Sequence, residues 1–256
     1  MALPLPSGLV PTEVAFLCEM EMVTIVPRQR LEPIQLLSGE TPALRPPHRA
    51  QVPLWFALLL KKQRRANIVA PPWLLAPSLQ DLVHQETNVD PEAFSPPPPP
   101  PMRSDGRGTA RPYGTDPDPD SKPGDLILAP PFLPSCTQEA PSGYLPYHWL
   151  EMAETLLAHA ADDIPSAPEV RALLRDLQEV RAAKMRGSTR HLDGGGGVLN
   201  LRGVGAMELA ESRGFVLGVV DGVRKIGASM EASRREEEEE RAAAGGAEDS
   251  DEEMGF

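Results

Sequence analysis

A dense cluster of prolines limits the folds that this sequence can form. Sixteen of the 30 prolines fall within residues 91–146, and residues 96–101 are six prolines in succession. Proline fixes φ and lacks a backbone N–H, so neither a helix interior nor a central strand tolerates such a run. Segments of this kind are extended and solvated. We therefore expect a Pro-rich insertion at about residues 95–143 that separates two folded parts of the chain.

The charge of the chain is equally uneven. Its formal net charge is −12, but residues 231–256 alone contribute −8, so the rest of the chain carries only −4. This balance excludes a generic basic nucleic-acid-binding protein. Blocks of like charge usually remain solvated. Residues 231–256 are therefore predicted to be a disordered acidic tail, and docking of this tail to a partner is the alternative.

Residues 10–70 are predicted to form a small β-rich domain after a flexible N-terminus at residues 1–9. Residues 22–26 are mostly β-branched or apolar and are followed by Pro27, while residues 34–37 precede a Ser-Gly turn. Both stretches have the length and the flanking residues of strands. The sequence therefore predicts a hairpin or a sheet edge in this domain.

One short helix is predicted in the same domain. It starts near Pro53, because proline fits the first helical turn. Trp55, Leu58, Leu59 and Lys62 follow at helical spacing. This pattern predicts an apolar stripe that includes Trp55, with positive charge at the end of the helix where it suits the helix dipole.

The second half of the chain is predicted to be helical. Apolar residues recur at helical spacing in residues 148–162, 166–187 and 206–227. These helices belong to a domain at residues 71–230, interrupted by the insertion and by a Gly-rich loop at about residues 188–205. The predicted fold class is mainly α, with a small β-rich N-terminal domain and a helical-bundle main domain.

The predicted helices expose more apolar surface than one small domain can bury, so some of it is expected to face a partner. Gly214, Gly218 and Gly222 recur every four residues and predict close packing against a neighbouring helix. The large apolar residues expected in the core or at an interface are Trp55, Trp73, Leu156, Leu157, Leu173, Leu174, Leu177 and Val220.

The sequence lacks the patterns of a catalytic, cofactor or metal site. The glycines at residues 194–197 are not followed by the Lys and Ser or Thr of a phosphate-binding loop. The histidines are scattered, and Cys18 and Cys136 have no second cysteine nearby for a zinc site. Asp162 and Asp163 are interpreted as a polar turn between helices. We therefore predict a protein that is not an enzyme and that holds no cofactor or metal.

A membrane span is not predicted either. The longest apolar run, residues 52–60, is nine residues long and contains a proline. A helix that crosses a bilayer needs roughly 20 apolar residues.

A short basic run leaves a second kind of function open. Lys61, Lys62, Arg64 and Arg65 lie at the end of the predicted helix and are suited to contact nucleic-acid phosphates or an acidic partner surface. The alternative function is therefore a sequence-independent DNA-binding module that uses these four residues.

Several segments in order resemble one family, the second subunit of the GINS complex of eukaryotic DNA replication. The sequence VPLW occupies residues 52–55, PPW residues 71–73 and HAADDIP residues 159–165. Further similarity lies at residues 13–17, 23–27, 169–184, 200–201 and 207–208, so that the resemblance covers most of residues 10–227. The Pro-rich insertion, the Gly-rich loop and the acidic tail depart from the family pattern and fall between or after these segments.

The resemblance implies a non-catalytic structural subunit that assembles with three other GINS subunits into a heterotetramer. In that family the tetramer joins the MCM ring and a Cdc45-type protein in the replicative helicase. A nuclear protein required for initiation and elongation of chromosomal replication is therefore expected, and its contact with DNA would be indirect.

Overall fold

The computed structural model describes residues 8–36, 39–98, 102–104, 110–112, 134–187 and 201–248. They fall into two units, the first made of residues 8–187 and 201–211 and the second of residues 212–248. Among these residues we find no helix that is both long and apolar enough to cross a lipid bilayer. Parts of four predicted features lie outside the described residues: residues 1–7, most of the Pro-rich insertion, residues 188–200 and residues 249–256.

The first unit begins with two helices and five short strands. These are α1 (Pro11–Cys18), β1 (Met22–Pro27), β2 (Gln35–Leu36), β3 (Gly39–Glu40), β4 (Ala50–Pro53), α2 (Leu54–Lys62) and β5 (Ala66–Ile68). The strand predicted at residues 22–26 is confirmed as β1. The strand predicted at residues 34–37 shortens to β2, which pairs with β3 in a minimal hairpin.

β1 is the central strand of a three-stranded antiparallel sheet with the order β4-β1-β5. Val23 pairs with Val52 on one side, and Ile25 pairs with Ile68 on the other. Val23, Thr24 and Ile25 are buried in succession. Since successive side chains of a strand point to opposite faces, both faces of the sheet must be covered here.

Part of this cover comes from residues 134–143, at the end of the predicted Pro-rich insertion. The backbone N–H of Gln138 donates to Oγ1 of Thr24 at 3.0 Å, and Cys136 is fully buried. Nε1 of Trp73 donates to the backbone oxygen of Ser135 at 3.2 Å. The last residues of the predicted insertion therefore belong to the core. Within the rest of the insertion, β6 (Met102–Ser104) pairs with β7 (Ala110–Pro112).

The structure shows which side chains of α2 face the core. Trp55 and Leu58 are only half-buried and Leu59 is exposed, while the buried side chains are Leu54, Phe56, Ala57 and Leu60. The helix follows β4 without a loop, and its first backbone N–H groups donate to carbonyl oxygens just after α1. These bonds set the rotation of the helix about its axis, which the apolar spacing alone did not reveal.

The helical part contains α3 (Ala76–His84), α4 (Trp149–His159), α5 (Ala167–Gly187) and the start of α6 (Ala206–Glu248). α3 continues into a π-helical turn at Gln85–Val89 and packs against α5. Fully buried side chains of this part include Trp73, Leu79, Leu82, Trp149, Met152, Leu156, Val170 and Leu177. The predicted fold class, mainly α with a small β-rich N-terminal domain and a helical bundle, is confirmed.

The described part of the second unit is a single helix, formed by α6 beyond residue 211. The helix continues to Glu248 through the segment that was predicted to be a disordered tail. Arg234 pairs with Glu238 and Arg235 with Glu231, each one helical turn away. Such pairs and the many Glu, Arg and Ala residues favour helix over coil.

The glycine stripe on α6 does not pack as predicted within the described chain. A Cβ atom placed on Gly214, Gly218 or Gly222 would meet no heavy atom within 4 Å. The expected neighbouring helix is therefore not supplied by the described residues of this chain.

Candidate functional site

A cluster of charges joins the N-terminal part of the first unit to its helical part. Nζ of Lys61, at the end of α2, lies 2.7 Å from a carboxylate oxygen of Asp162 and 2.7 Å from one of Asp163. Oδ2 of Asp163 also accepts a hydrogen bond from the backbone N–H of Ile68 in β5, at 2.7 Å. The turn after α4 therefore holds both α2 and β5. We call Lys61, Asp162 and Asp163 the Lys61 clasp.

The clasp is charged at neutral pH. The Lys61 side chain is only 12% exposed, and burial by itself lowers the pKa of an ammonium group. Its hydrogen bonds to Asp162 and Asp163 outweigh this effect and raise the pKa of Lys61 above its ordinary value. The hydrogen bond from Lys61 in turn lowers the pKa of Asp162. The polar turn predicted at residues 162–163 thus proves to be an anchor for α2.

The clasp separates the four residues that the sequence grouped as one basic run. Lys61 is engaged inside the unit, whereas Lys62, Arg64 and Arg65 are exposed. No ion pair involves these three side chains in the part of the chain that the structure describes. Only three of the four cations are therefore available to a partner.

A second charged cluster, which the sequence analysis missed, lies inside the helical part. Arg181 of α5 has no exposed side-chain surface, and its guanidinium contacts Glu86 after α3 and Glu208 at the start of α6. Its Nη2 also donates to the backbone oxygen of Gly203 at 2.7 Å. One side chain therefore ties together α5, the turn after α3 and the turn before α6. We call Arg181, Glu86 and Glu208 the Arg181 cluster.

Charge–charge interactions and two aromatic rings stabilise the Arg181 cluster. Burial opposes ionisation of Glu86, but Arg181, the hydrogen bond from Ser95 and Lys184 together outweigh it and lower the pKa of Glu86. Burial likewise opposes the charge of Arg181, and the interactions with Glu208 and Glu86 together raise its pKa. The guanidinium carbon lies 4.9 Å from the ring centroid of Phe94 and 5.6 Å from that of Trp149. Such cation–π contacts are strongest in desolvated sites like this one.

The sequence did contain a signal for this cluster. Val170, Leu174 and Leu177 are buried along one face of α5, and Arg181 falls on the same face one turn later. A lone cation within an apolar helical stripe indicates a buried charge with partners, because an unpaired one is too costly.

Two glycines fix the last turn of the predicted Gly-rich loop. Gly203 has φ +86°, and a Cβ atom there would lie 2.3 Å from the backbone oxygen of Ser95. A Cβ atom on Gly205 would lie 2.8 Å from Nε1 of Trp149. Residues 201–205, predicted as part of a flexible loop, therefore pack closely against the core.

A third buried cluster lies where α1 meets α4. Glu21 is fully buried, and neither of its carboxyl oxygens is paired with a nitrogen or oxygen donor among the described residues. Burial raises the pKa of Glu21 to about 8; the Cys136 thiol opposes this rise, and the nearby Glu151 adds to it. Glu151 is itself buried and bonds Nδ1 of His148 through one oxygen, while its other oxygen is unpartnered. Glu21 is therefore neutral at pH 7 in the folded chain.

The two cysteines close to this cluster are not activated. Burial raises the pKa of the thiols of Cys18 and Cys136, so neither is a ready thiolate nucleophile. Among the described residues there is no group of three or more His, Cys, Asp or Glu side chains placed to hold a metal ion.

The residues predicted for the core or an interface divide into two sets. Leu173 and Trp55 are half-buried, and Val220 is exposed. The others are buried in the first unit: Trp73, Leu156, Leu157, Leu174 and Leu177.

The second unit carries a row of apolar side chains that is half-buried at Val216 and Val219 and exposed from Val223 onward. Along α6 the spacing of Val216, Val219, Val223, Ile226 and Met230 alternates three and four residues, as in the seam of packed helices. Ile226 is 62% exposed and Met230 is 68% exposed. Among the described residues of this unit, no second element covers the row. This arrangement suits helix-to-helix packing with another chain.

Two models of known domain families match parts of this chain. Residues 10–69 match the family model of the PSF2 N-terminal domain, and residues 113–227 match that of the GINS complex protein helical bundle domain. Neither model describes an enzyme family.

Relatives named DNA replication complex GINS protein PSF2 align along nearly the whole chain. The one from Gibberella zeae is 70% identical over the full length of both chains, and that from Neurospora crassa is 64% identical, also over full length. The one from Schizosaccharomyces pombe is 30% identical over 88% of this chain and 96% of its own. The two domains, their order and this similarity over full length show that the chain belongs to the PSF2 family of GINS complex proteins.

Proposed function

We propose that this chain is a non-catalytic structural subunit of a heterotetramer with three other GINS subunits. Family membership supports assembly with other GINS subunits. The apolar row on α6 supports contact with them through this helix. An amphipathic helix that continues beyond its own bundle is expected to bury its apolar side against another chain. The subunit then acts by holding other parts in place.

In this proposal the tetramer serves initiation and elongation of chromosomal DNA replication in the nucleus, together with the MCM ring and a Cdc45-type protein. The family resemblance supports these roles. ATP hydrolysis is assigned to the ring, since no arrangement of nucleophile, base and orienting group emerges from the described residues. The purified chain is expected to show no ATPase activity, and measurable turnover would contradict the non-catalytic role.

The apolar row on α6 can be tested by substituting Ile226→Asp in the full-length chain co-expressed with the three sister subunits. Ala228→Asp is the matched control, because it adds the same charge at an exposed position outside the row. Mass measurement of the purified species should show the tetramer for Ala228→Asp and its loss for Ile226→Asp. A full tetramer containing Ile226→Asp would contradict the proposal.

Substitutions of the buried residues test something else. Leu156 and Leu177 lie in the interior of the first unit, so Leu156→Asp and Leu177→Asp are expected to unfold the chain itself. Loss of the tetramer in these variants would therefore report folding rather than contact with a sister subunit.

The alternative of a sequence-independent DNA-binding module loses part of its basis. With Lys61 held in the clasp, three rather than four cations remain for phosphates. Each phosphate neutralised on duplex DNA adds about 0.9 to the slope of log affinity against log salt concentration. With only three cations, the affinity for DNA is expected to be low and to fall only modestly as salt is added.

A further inference from the structure

The outward face of α2 combines apolar and positive groups. Leu59 is 43% exposed, and Trp55 and Lys62 lie one turn before and after it on the same side of the helix. Trp55 is half-buried and packs partly against the core, so Leu59 is the main exposed apolar side chain of this face. A helix whose outward side is apolar next to a cation is suited to contact another molecule.

The turn after α2 carries two more exposed cations next to this face. The N–H of Arg64 donates to the carbonyl of Lys61 at 2.9 Å, and that of Arg65 donates to the carbonyl of Leu60 at 2.9 Å. Arg64 has φ +58°, in the left-handed region that normally favours glycine at a helix end. Arg64 adopts this unfavourable backbone conformation, and its side chain is exposed to solvent.

The sequence around this surface is free of acidic residues within an acidic protein. Residues 41–80 contain no Asp or Glu, although the chain as a whole has 37 of them. The carboxylates of Asp162 and Asp163, which contact the end of α2, are bonded to Lys61. Lys62, Arg64 and Arg65 therefore keep their charge free for an external anion.

We propose that this surface, formed by Trp55, Leu59, Lys62, Arg64 and Arg65, binds a short acidic peptide segment of a partner protein. Carboxylates of the peptide pair with the two arginines, which suit planar bidentate contacts. An apolar side chain of the peptide packs on Leu59 beside the indole of Trp55. The apolar part of the surface favours a peptide over nucleic acid, since a phosphate backbone gains nothing from an exposed leucine.

The proposal can be tested by fluorescence anisotropy with the full-length chain and a fluorescein-labelled peptide in which glutamates flank a central Leu-Phe pair. A second peptide replaces this pair with two serines, and a labelled single-stranded oligothymidylate represents nucleic acid. The Leu-Phe peptide should bind best. Arg64→Glu or Leu59→Ser should each weaken its binding about tenfold. Arg45→Glu, an exposed charge reversal elsewhere, is the matched control and should leave it unchanged.

Arg64→Gly separates binding from folding. Glycine accepts the left-handed conformation at residue 64, so this variant should be at least as stable in urea as the original chain. It removes a cation, so it should still bind the Leu-Phe peptide several-fold more weakly. Unchanged peptide affinity in Arg64→Gly would overturn the proposal.

Other outcomes would also overturn it. Equal binding of both peptides, with no effect of Leu59→Ser, would indicate attraction by charge alone. Tight binding of oligothymidylate without binding of the peptide would assign the surface to nucleic acid. Absence of binding to either probe would reject it as a docking surface. Assembly with the sister subunits is measured separately by mass, so none of these results bears on the proposed tetramer.

Discussion

Glu21 offers a sharp test of how burial shapes this protein. Its carboxyl group is fully enclosed, near the thiols of Cys18 and Cys136 and the carboxyl group of Glu151. Its oxygens are paired with no nitrogen or oxygen donor among the described residues. His148 belongs to the same cluster and is hydrogen-bonded to Glu151. We predict that Glu21→Gln, which resembles the neutral acid in shape, stabilises the chain at neutral pH.

The magnitude follows from the difference between the pKa values of the folded and the unfolded chain. Burial raises the pKa of Glu21 from 4.5 to about 8. The folded chain keeps the proton while the unfolded chain releases it above pH 4.5, so stability falls as the pH rises from 4.5 towards 8. Each pH unit in this window costs about 1.4 kcal/mol, which amounts to about 3 kcal/mol at pH 7. Below pH 4.5 the penalty vanishes.

The assay is urea unfolding of the full-length chain and of Glu21→Gln at several pH values from 5 to 8. The difference in the free energy of unfolding should grow from below about 1 kcal/mol at pH 5 to about 3 kcal/mol at pH 7. Glu40→Gln, at an exposed position, is the control and should change stability by less than about 0.5 kcal/mol at every pH. A difference for Glu21→Gln that does not vary with pH would refute the reasoning, because it would mean that Glu21 is ionised in the folded state.

Three further predictions concern the other clusters. Arg181→Met should lower the free energy of unfolding, measured by urea titration, by about 3–5 kcal/mol. The reason is that the carboxylates of Glu86 and Glu208 lose their main partner. A loss below about 1 kcal/mol would contradict the structure. Gly203→Ala should lower the melting temperature by several degrees, because the added Cβ would lie 2.3 Å from the backbone oxygen of Ser95. An unchanged melting temperature would contradict this close approach. Lys61→Met should increase amide hydrogen exchange at Ile68, and unchanged protection there would show that Asp163 alone holds β5.

Regular elements of this fold were predictable from local patterns. β1 is β-branched and ends at a proline, and α5 ends at Gly187 as its sequence indicates. The buried side of α2 was not predictable, because Trp55 and Leu59 are as apolar as the residues that are buried. Only the bonds that fix the start of α2 after β4 decide which side faces the sheet.

The ion pairs between residues far apart in the sequence could not be predicted either. Lys61 and Asp162 are 101 residues apart, and Arg181 and Glu86 are 95 residues apart. A charged residue in a sequence shows no preference for a partner at such a distance, and a charge run is usually solvated. For Arg181, burial could have been predicted, because the residue lies in an apolar helical stripe. Its partners could not have been predicted.

The charged contacts explain why the first unit holds one arrangement. Apolar packing between a sheet and a helical bundle allows several registers of similar energy, whereas an ion pair tolerates little displacement of its partners. The Lys61 clasp fixes the end of α2 and the edge of β5 to the turn after α4, and the Arg181 cluster fixes that bundle to the start of α6. Both clusters lie between elements far apart in sequence. A subunit that works by holding partners in position needs such fixed geometry more than it needs extra stability. Replacing a whole cluster by apolar residues is therefore expected to preserve folding while loosening the relative placement of these elements.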